Sequence, residues 1–255
     1  DFAKESAKFS AYTELTTRYR DTYEREWPYF PNSKEAADAK VTDKKRKLAY
    51  QDFLEIHKVV SVYMQTLAAL AGDTTFDLSK EMKSLATGIT AHPELRITEK
   101  HTNAFSHLTK IITSAYQQKA VREMLKTGDP DLQILLDGMT LLVEIYQETH
   151  NGEKRNFEQL KGTILMTEKR IGTTREIKSD QLVIALAKAH LQAKQQEFQR
   201  ASTKYTAAKK GIARIKSGHK ALVQNMDKLS SAEAKSLIKK FSDDIQTIRE
   251  TLQAL

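Results

Sequence analysis

Cysteine is absent from this 255-residue chain, which excludes disulfides, thiolate metal sites, cysteine nucleophiles and dithiol redox motifs together. Turn formers are scarce as well. Nine glycines and four prolines fall short of the roughly 7% and 5% usual in globular chains, so long segments run without punctuation. Closely spaced glycines are missing: no G-x-G, Walker A or G-x-S-x-G sequence occurs, so the common phosphate-cradling loops and the nucleophile elbow are excluded. The longest apolar run, residues 59–71, is broken by Ser61, Gln65 and Thr66 and is too short to cross a bilayer. No signal peptide or lipidation motif is present.

The histidines do not pair. His57, His92, His101, His107, His150, His190 and His219 are never three or four residues apart, so no two share a helical face as metal-ligand pairs do. The positions three residues before them hold Leu54, Ile89, Thr98, Ala104, Gln147, Ala187 and Lys216, which removes the Glu-x-x-His motif of di-iron bundles. His150 and Glu153 share a face, but two groups are not a metal site, and a polar break in an apolar seam is the simpler reading. Asp129, Asp131, Asp243 and Asp244 read as capping and helix-surface residues. No catalytic residue, cofactor-binding residue or metal ligand is assigned, and the chain is expected to be non-enzymatic. A third reading is an enzyme with a site in the N-terminal bundle, which a pocket there with convergent His57, Tyr63 or His101 would favour.

What the chain has is helix formers and long apolar periodicities. Phe9, Tyr12, Leu15, Tyr19 and Tyr23 define one face over residues 2–26, stopped by Pro28 and Pro31. Ala49, Phe53, Ile56, Val60, Tyr63, Leu67 and Leu70 predict a helix from Thr42 or Asp43 to Ala71, ended by Gly72-Asp73. A short helix over 78–87 follows, capped by Asp77. Thr98 caps another that reaches about Lys126, and Gly128-Asp129-Pro130 marks a boundary, with Gly ending one helix and Pro opening the next. A seam from Leu132 to Ile171, polar only at His150, Glu153 and Thr167, predicts a helix of about 40 residues. It passes through Asn151-Gly152, since a mid-helix glycine costs only about 1 kcal/mol.

After Gly172-Thr173-Thr174, with Ser179 or Asp180 as cap, the seam Ile184, Ala187, Leu191, Lys194, Phe198, Ala201, Tyr205, Ala208, Ile212, Ile215, His219, Leu222, Met226 and Leu229 predicts a helix over 180–228, on the order of 70 Å long. Ser230-Ser231-Ala232-Glu233 is a capping box for the last helix. The expected fold is all-α: an elongated helical bundle with a long antiparallel coiled-coil hairpin in its C-terminal half. Residues 1–128 form the N-terminal helical bundle and 129–255 the hairpin plus C-terminal helix, either as two parts or as one continuous unit.

The net charge of +8 sits in one place. Residues 188–220 hold nine Lys/Arg and one Glu, while the residues before hold 27 of each sign and those after hold five of each. In the heptad register Lys188, Lys204, Lys209 and Lys216 flank the seam, while Arg200, Lys210, Arg214 and Lys220 point outward. The charge encircles the helix, and the aromatics within it, Phe198 and Tyr205, lie in the seam. Specific nucleic-acid binding, which favours one basic face with exposed stacking rings, is therefore not expected. A solvated helix flank is the leading reading. The alternative is an anionic membrane or polyanion surface bound through Arg200, Lys204, Lys209, Lys210, Arg214, Lys216 and Lys220, with a homodimer as one way to present a long basic surface.

The segment Thr42-Asp43-Lys44-Lys45, Tyr50, Ala71-Gly72-Asp73 and Phe76-Asp77-Leu78 resembles uncharacterised bacterial envelope proteins, some of them lipoproteins. The resemblance covers at most the first half and carries over no functional residue. It implies a periplasmic or membrane-anchored location on the extracytoplasmic side. The chain opens on Asp1, as expected of a processed protein or one trimmed after a lipid-bearing cysteine. Together these readings point to a non-enzymatic helical scaffold or interaction protein of the cell envelope, its protein partner unidentified.

Overall fold

The computed structural model describes residues 1–9, 12–29, 34–71, 78–171, 178–227 and 232–253. These residues form nine α-helices and no strand. They are α1 (Phe2–Ala7), α2 (Tyr12–Arg20), α3 (Thr22–Glu26), α4 (Lys34–Leu70), α5 (Leu78–Lys83), α6 (Glu99–Gln118), α7 (Val121–Ile171), α8 (Lys178–Gln224) and α9 (Ala232–Gln253). The fold is an all-α bundle. Its longest members, α7 and α8, run antiparallel: Phe157 meets Phe198, His150 meets Ser202 and Asp129 meets His219.

One hydrophobic core joins Phe2, Phe53, Phe105, Leu136, Ile212 and Ile248. Residue 128, where the sequence divides into bundle and hairpin, lies inside α7. Beyond the core, Phe157, Leu191 and Phe198, with Ile164 against them, form a smaller cluster between α7 and α8. The α3 segment braces the hairpin alongside it, through Arg25–Glu153, Glu26–Asn156 and Tyr29–His190.

Several boundaries differ from expectation. The first predicted face is buried at Phe9, Tyr12, Leu15 and Tyr19, whereas Tyr23 is half-buried against Trp27, and the segment is divided among three short helices. Between α2 and α3, Asp21 leaves helical geometry and the Thr22 hydroxyl donates to the Tyr19 carbonyl at 2.9 Å, a side-chain bond that competes with the helical ladder. Helix α4 begins at Lys34, ahead of the predicted Thr42 or Asp43. That first stretch is alanine-rich, and Val41 and Leu48 are exposed, so intrinsic propensity rather than burial carries it. Helix α5 ends at Lys83, short of Thr87.

The largest correction falls at Gly128-Asp129-Pro130. No helix ends there: α7 runs 51 residues from Val121 with Pro130 inside it. The break lies earlier, at Lys119, whose φ of 54° is left-handed. A lysine there gives no sequence signal, because that conformation is usually left to glycine. Gly128 is a packing position instead. A Cβ there would lie 2.6 Å from the Tyr63 ring.

Helix α8 begins at Lys178, so Ser179 and Asp180 lie within it. The caps and breaks assigned to Gly72-Asp73, Asp77, Gly172-Thr173-Thr174 and Ser230-Ser231 lie outside the described residues. Helix α8 carries two sockets of its own. At Gly211 and Gly218, seven residues apart on one face, a methyl group would overlap the rings of Phe9 and Phe2. The N-terminal segment is thereby seated directly on the basic helix.

Candidate functional site

Helix α8 is the element to which sequence assigned a surface role, and three neighbours hold its charge. Lys204 reaches Glu14 of α2 at 2.8 Å, Arg214 reaches Asp244 of α9 at 3.3 Å, and Lys216 pairs with Asp137 of α7. Lys194, one helical turn from Glu197, pairs with it at 2.7 Å. Arg200, Lys209, Lys210 and Lys220 have no ion-pair partner among the described residues. The seven candidate residues therefore fall into two groups. Three are interhelical links and four are distributed around the helix. Their acidic partners could not be found from local spacing, because each lies 30 or more residues away on another helix.

Two buried polar clusters anchor the hairpin. In the first, the Tyr63 hydroxyl donates to the Met124 carbonyl at 3.1 Å and lies 2.9 Å from His219 Nε2. His219 Nδ1 lies 2.8 Å from Asp129 Oδ1. The His219 bond holds the Asp129 carboxyl below its usual range, whereas burial and the Asp129 charge push the Tyr63 phenol upward. This Asp–His–Tyr chain ties α7, α8 and α4 together with His219 and Tyr63 fully buried. Asp129, read as a helix cap, is the acceptor for the histidine that interrupts the α8 seam.

In the second cluster, the buried Glu153 accepts a fork from Arg25, at 2.7 and 3.2 Å, and lies 3.6 Å from Arg18. Arg18 also donates to Glu197 at 2.5 Å. Burial works to raise Glu197, yet Lys194 and Arg18 hold it below the usual carboxylate range. His150, a turn before Glu153, places Nε2 3.0 Å from the Ser202 hydroxyl, and burial and Arg18 depress its pKa to about 4. Of the polar break, Glu153 is thus the attachment point of the α2–α3 segment, while His150 bonds across the hairpin to α8.

The three residues whose convergence would favour the enzyme reading are apart. His57 stacks on Tyr12 with ring centres 5.4 Å apart. Tyr63 belongs to the His219 chain, and His101 accepts from the Thr98 backbone at 3.1 Å within a helix cap. None lines either of the two cavities described here. The first, between α3, α7 and α8, encloses about 20 Å³ beside Glu153 and Lys194, room for a water rather than a metabolite. The second is a groove of about 510 Å³ between α6 and α7, lined by Ile111, Met124 and Pro130 and by the His107–Asp131 pair at 3.2 Å. Among the described residues no group of three or more His, Asp or Glu is placed to hold a metal ion, and no helix is long and apolar enough to cross a membrane.

The feature that sequence reading missed lies at the outer end of the hairpin. Leu182, Val183 and Leu186 are 63%, 64% and 63% exposed, and Met166 on α7 is 75% exposed. Ile184, Ala187 and Leu191 take the inward seam, so residues 182–187 of α8 are apolar on both faces. The signal was present as aliphatic residues outside the heptad positions. The fold and these surfaces define an all-α helical bundle with a long antiparallel hairpin. Comparisons with family models, curated proteins and solved structures found no match to the chain.

Proposed function

We propose that the protein is a non-enzymatic helical scaffold of the bacterial cell envelope that works through the outer end of its α7–α8 hairpin. One observation carries the reading: large aliphatic side chains are exposed at that end, while the basic residues along the body of α8 are partly spent in pairs to Glu14, Asp137 and Asp244. Exposed aliphatic residues grouped on one element mark an interaction surface more often than a solvated one. The envelope location rests on the resemblance of the first half to envelope proteins.

The test is a photo-crosslinking amino acid placed in cells at Ala185 or Ala189 on the hairpin, and at Leu48 or Lys239 on the body. Adducts concentrated at the hairpin positions, in the envelope fraction, sustain the reading. Adducts confined to the body, or a metabolite that co-purifies in the α6–α7 groove, overturn it.

A further inference from the structure

We infer that residues 22–29, α3 and the turn after it, form a strap that lifts from the α7–α8 hairpin while the bundle stays folded, the Glu153 carboxylate passing from Arg25 to Arg18 as it opens. This conformational device goes beyond the scaffold reading and does not rest on it.

Polar contacts hold the strap to its neighbours. Arg25 reaches Glu153 and Glu26 reaches Asn156 on α7, Tyr29 meets His190 on α8, and Glu24 pairs with Lys47 of α4. Thr22 is its one buried residue, and neither hydrophobic cluster takes a side chain from it. Tyr23 and Trp27 pair with each other, and Trp27 is 42% exposed. The cavity of about 20 Å³ beneath the strap, against Phe157, Leu160 and Phe198, leaves that junction loosely filled. Helix α2 is anchored differently, with Tyr12, Leu15 and Tyr19 in the main core. Asp21, out of helical geometry, divides the two. A segment that contributes no apolar burial and is held by partly exposed polar pairs opens at low free energy.

Glu153 would ordinarily oppose such opening, because a buried carboxylate that loses its partner is costly. A second cation stands beside it. Arg18 lies on the anchored side of Asp21 and donates through Nη1 to Glu197. Its Nη2 lies 3.6 Å from Glu153 Oε2 and, among the described residues, has no acceptor within hydrogen-bonding distance. That same oxygen takes the longer arm of the Arg25 fork, 3.2 Å against 2.7 Å. Arg18 therefore gains in the open form a bond that it lacks in the closed one, and Glu153 stays paired in both.

The experiment uses the full chain. Since it has no cysteine, Leu160→Cys places a single thiol in the half-buried wall beneath the strap, and its labelling by a bulky maleimide reads opening. In that background Arg25→Gln is expected to raise the labelling rate about tenfold or more, and Arg18→Gln less than about threefold, because Arg25 still holds the strap closed. Urea unfolding without the cysteine reads the hand-over. Each single variant leaves Glu153 one arginine, and Glu197 keeps Lys194 at 2.7 Å. The double variant leaves Glu153 neither, and its folding equilibrium constant should fall at least about tenfold further than the two single losses multiplied together. Should the double variant fail to fold, adding Glu153→Gln should restore folding by removing the unpaired charge.

Equal labelling rates in the parent and the Arg25→Gln variant overturn the strap. So do rates that follow the urea midpoints of the variants, which would make the labelling a report of global unfolding. Single losses that simply multiply, or a double variant that stays unfolded with Glu153→Gln added, overturn the hand-over from Arg25 to Arg18.

Discussion

His57 and His150 are buried with pKa values depressed to about 4, in both cases chiefly by burial, against an unfolded value of about 6.5. The unfolded chain therefore binds protons at these sites before the folded one does. Their contribution to stability is complete above about pH 6.5 and is lost as pH falls towards 4. Full loss is on the order of 3 kcal/mol for His57, which is buried throughout, and less for His150. Urea midpoints measured from pH 7 to 4.5 should fall steadily, and a His57→Leu, His150→Leu variant should show a shallower fall. An equal slope in both would contradict the assignment. At the Tyr63–His219–Asp129 chain, Asp129→Ala leaves the buried His219 Nδ1 without its acceptor. A loss of about 1–3 kcal/mol is expected, read from the same urea midpoints.

Among the elements, α8 shows how a glycine can serve a helix without ending it. The rings of Phe2 and Phe9 fill the space a methyl group would occupy at Gly218 and Gly211. Gly218→Ala gains about 1 kcal/mol of helix propensity but forces the ring of Phe2 outward, which costs about 1–3 kcal/mol. The expected result is no gain or a net loss in thermal stability, recovered when Phe2→Leu is added. The same distinction explains what the sequence disclosed. Apolar spacing identified the buried faces of α4, α7 and α8 correctly, because burial of Phe53, Leu136 and Ile212 imposes the helical period. It misread Gly128-Pro130, because a glycine needed for a neighbour's ring is indistinguishable from a glycine that ends a helix. The ion pairs of α8 were illegible for a related reason: Lys204 and Glu14 are 190 residues apart, and only the packed bundle brings them together. The hairpin tip was readable, since Leu182, Val183 and Leu186 lie off the seam, but a heptad reading looks past residues that do not fit it.

At the scale of the whole molecule, a core that includes both Phe2 and Ile248 joins the two halves of the sequence, while the hairpin continues beyond it on the Phe157, Leu191 and Phe198 cluster and the contacts of the α3 segment. A 47-residue α8 is on the order of 70 Å long. Small-angle scattering should therefore give a radius of gyration clearly above the roughly 18 Å of a compact chain of this length. The division between one shared core and an outer hairpin free to make contacts is the account's central claim, and hydrogen exchange resolved by peptide tests it most directly. Amides of α4, of α7 between Leu132 and Tyr146, and of α8 between Ala201 and Ile215 should share one high level of protection. Amides of α7 after Leu160 and of α8 before Leu191 should open at lower free energy. Separate protection levels on the two sides of residue 128, or an outer hairpin as protected as Ile212, would contradict it.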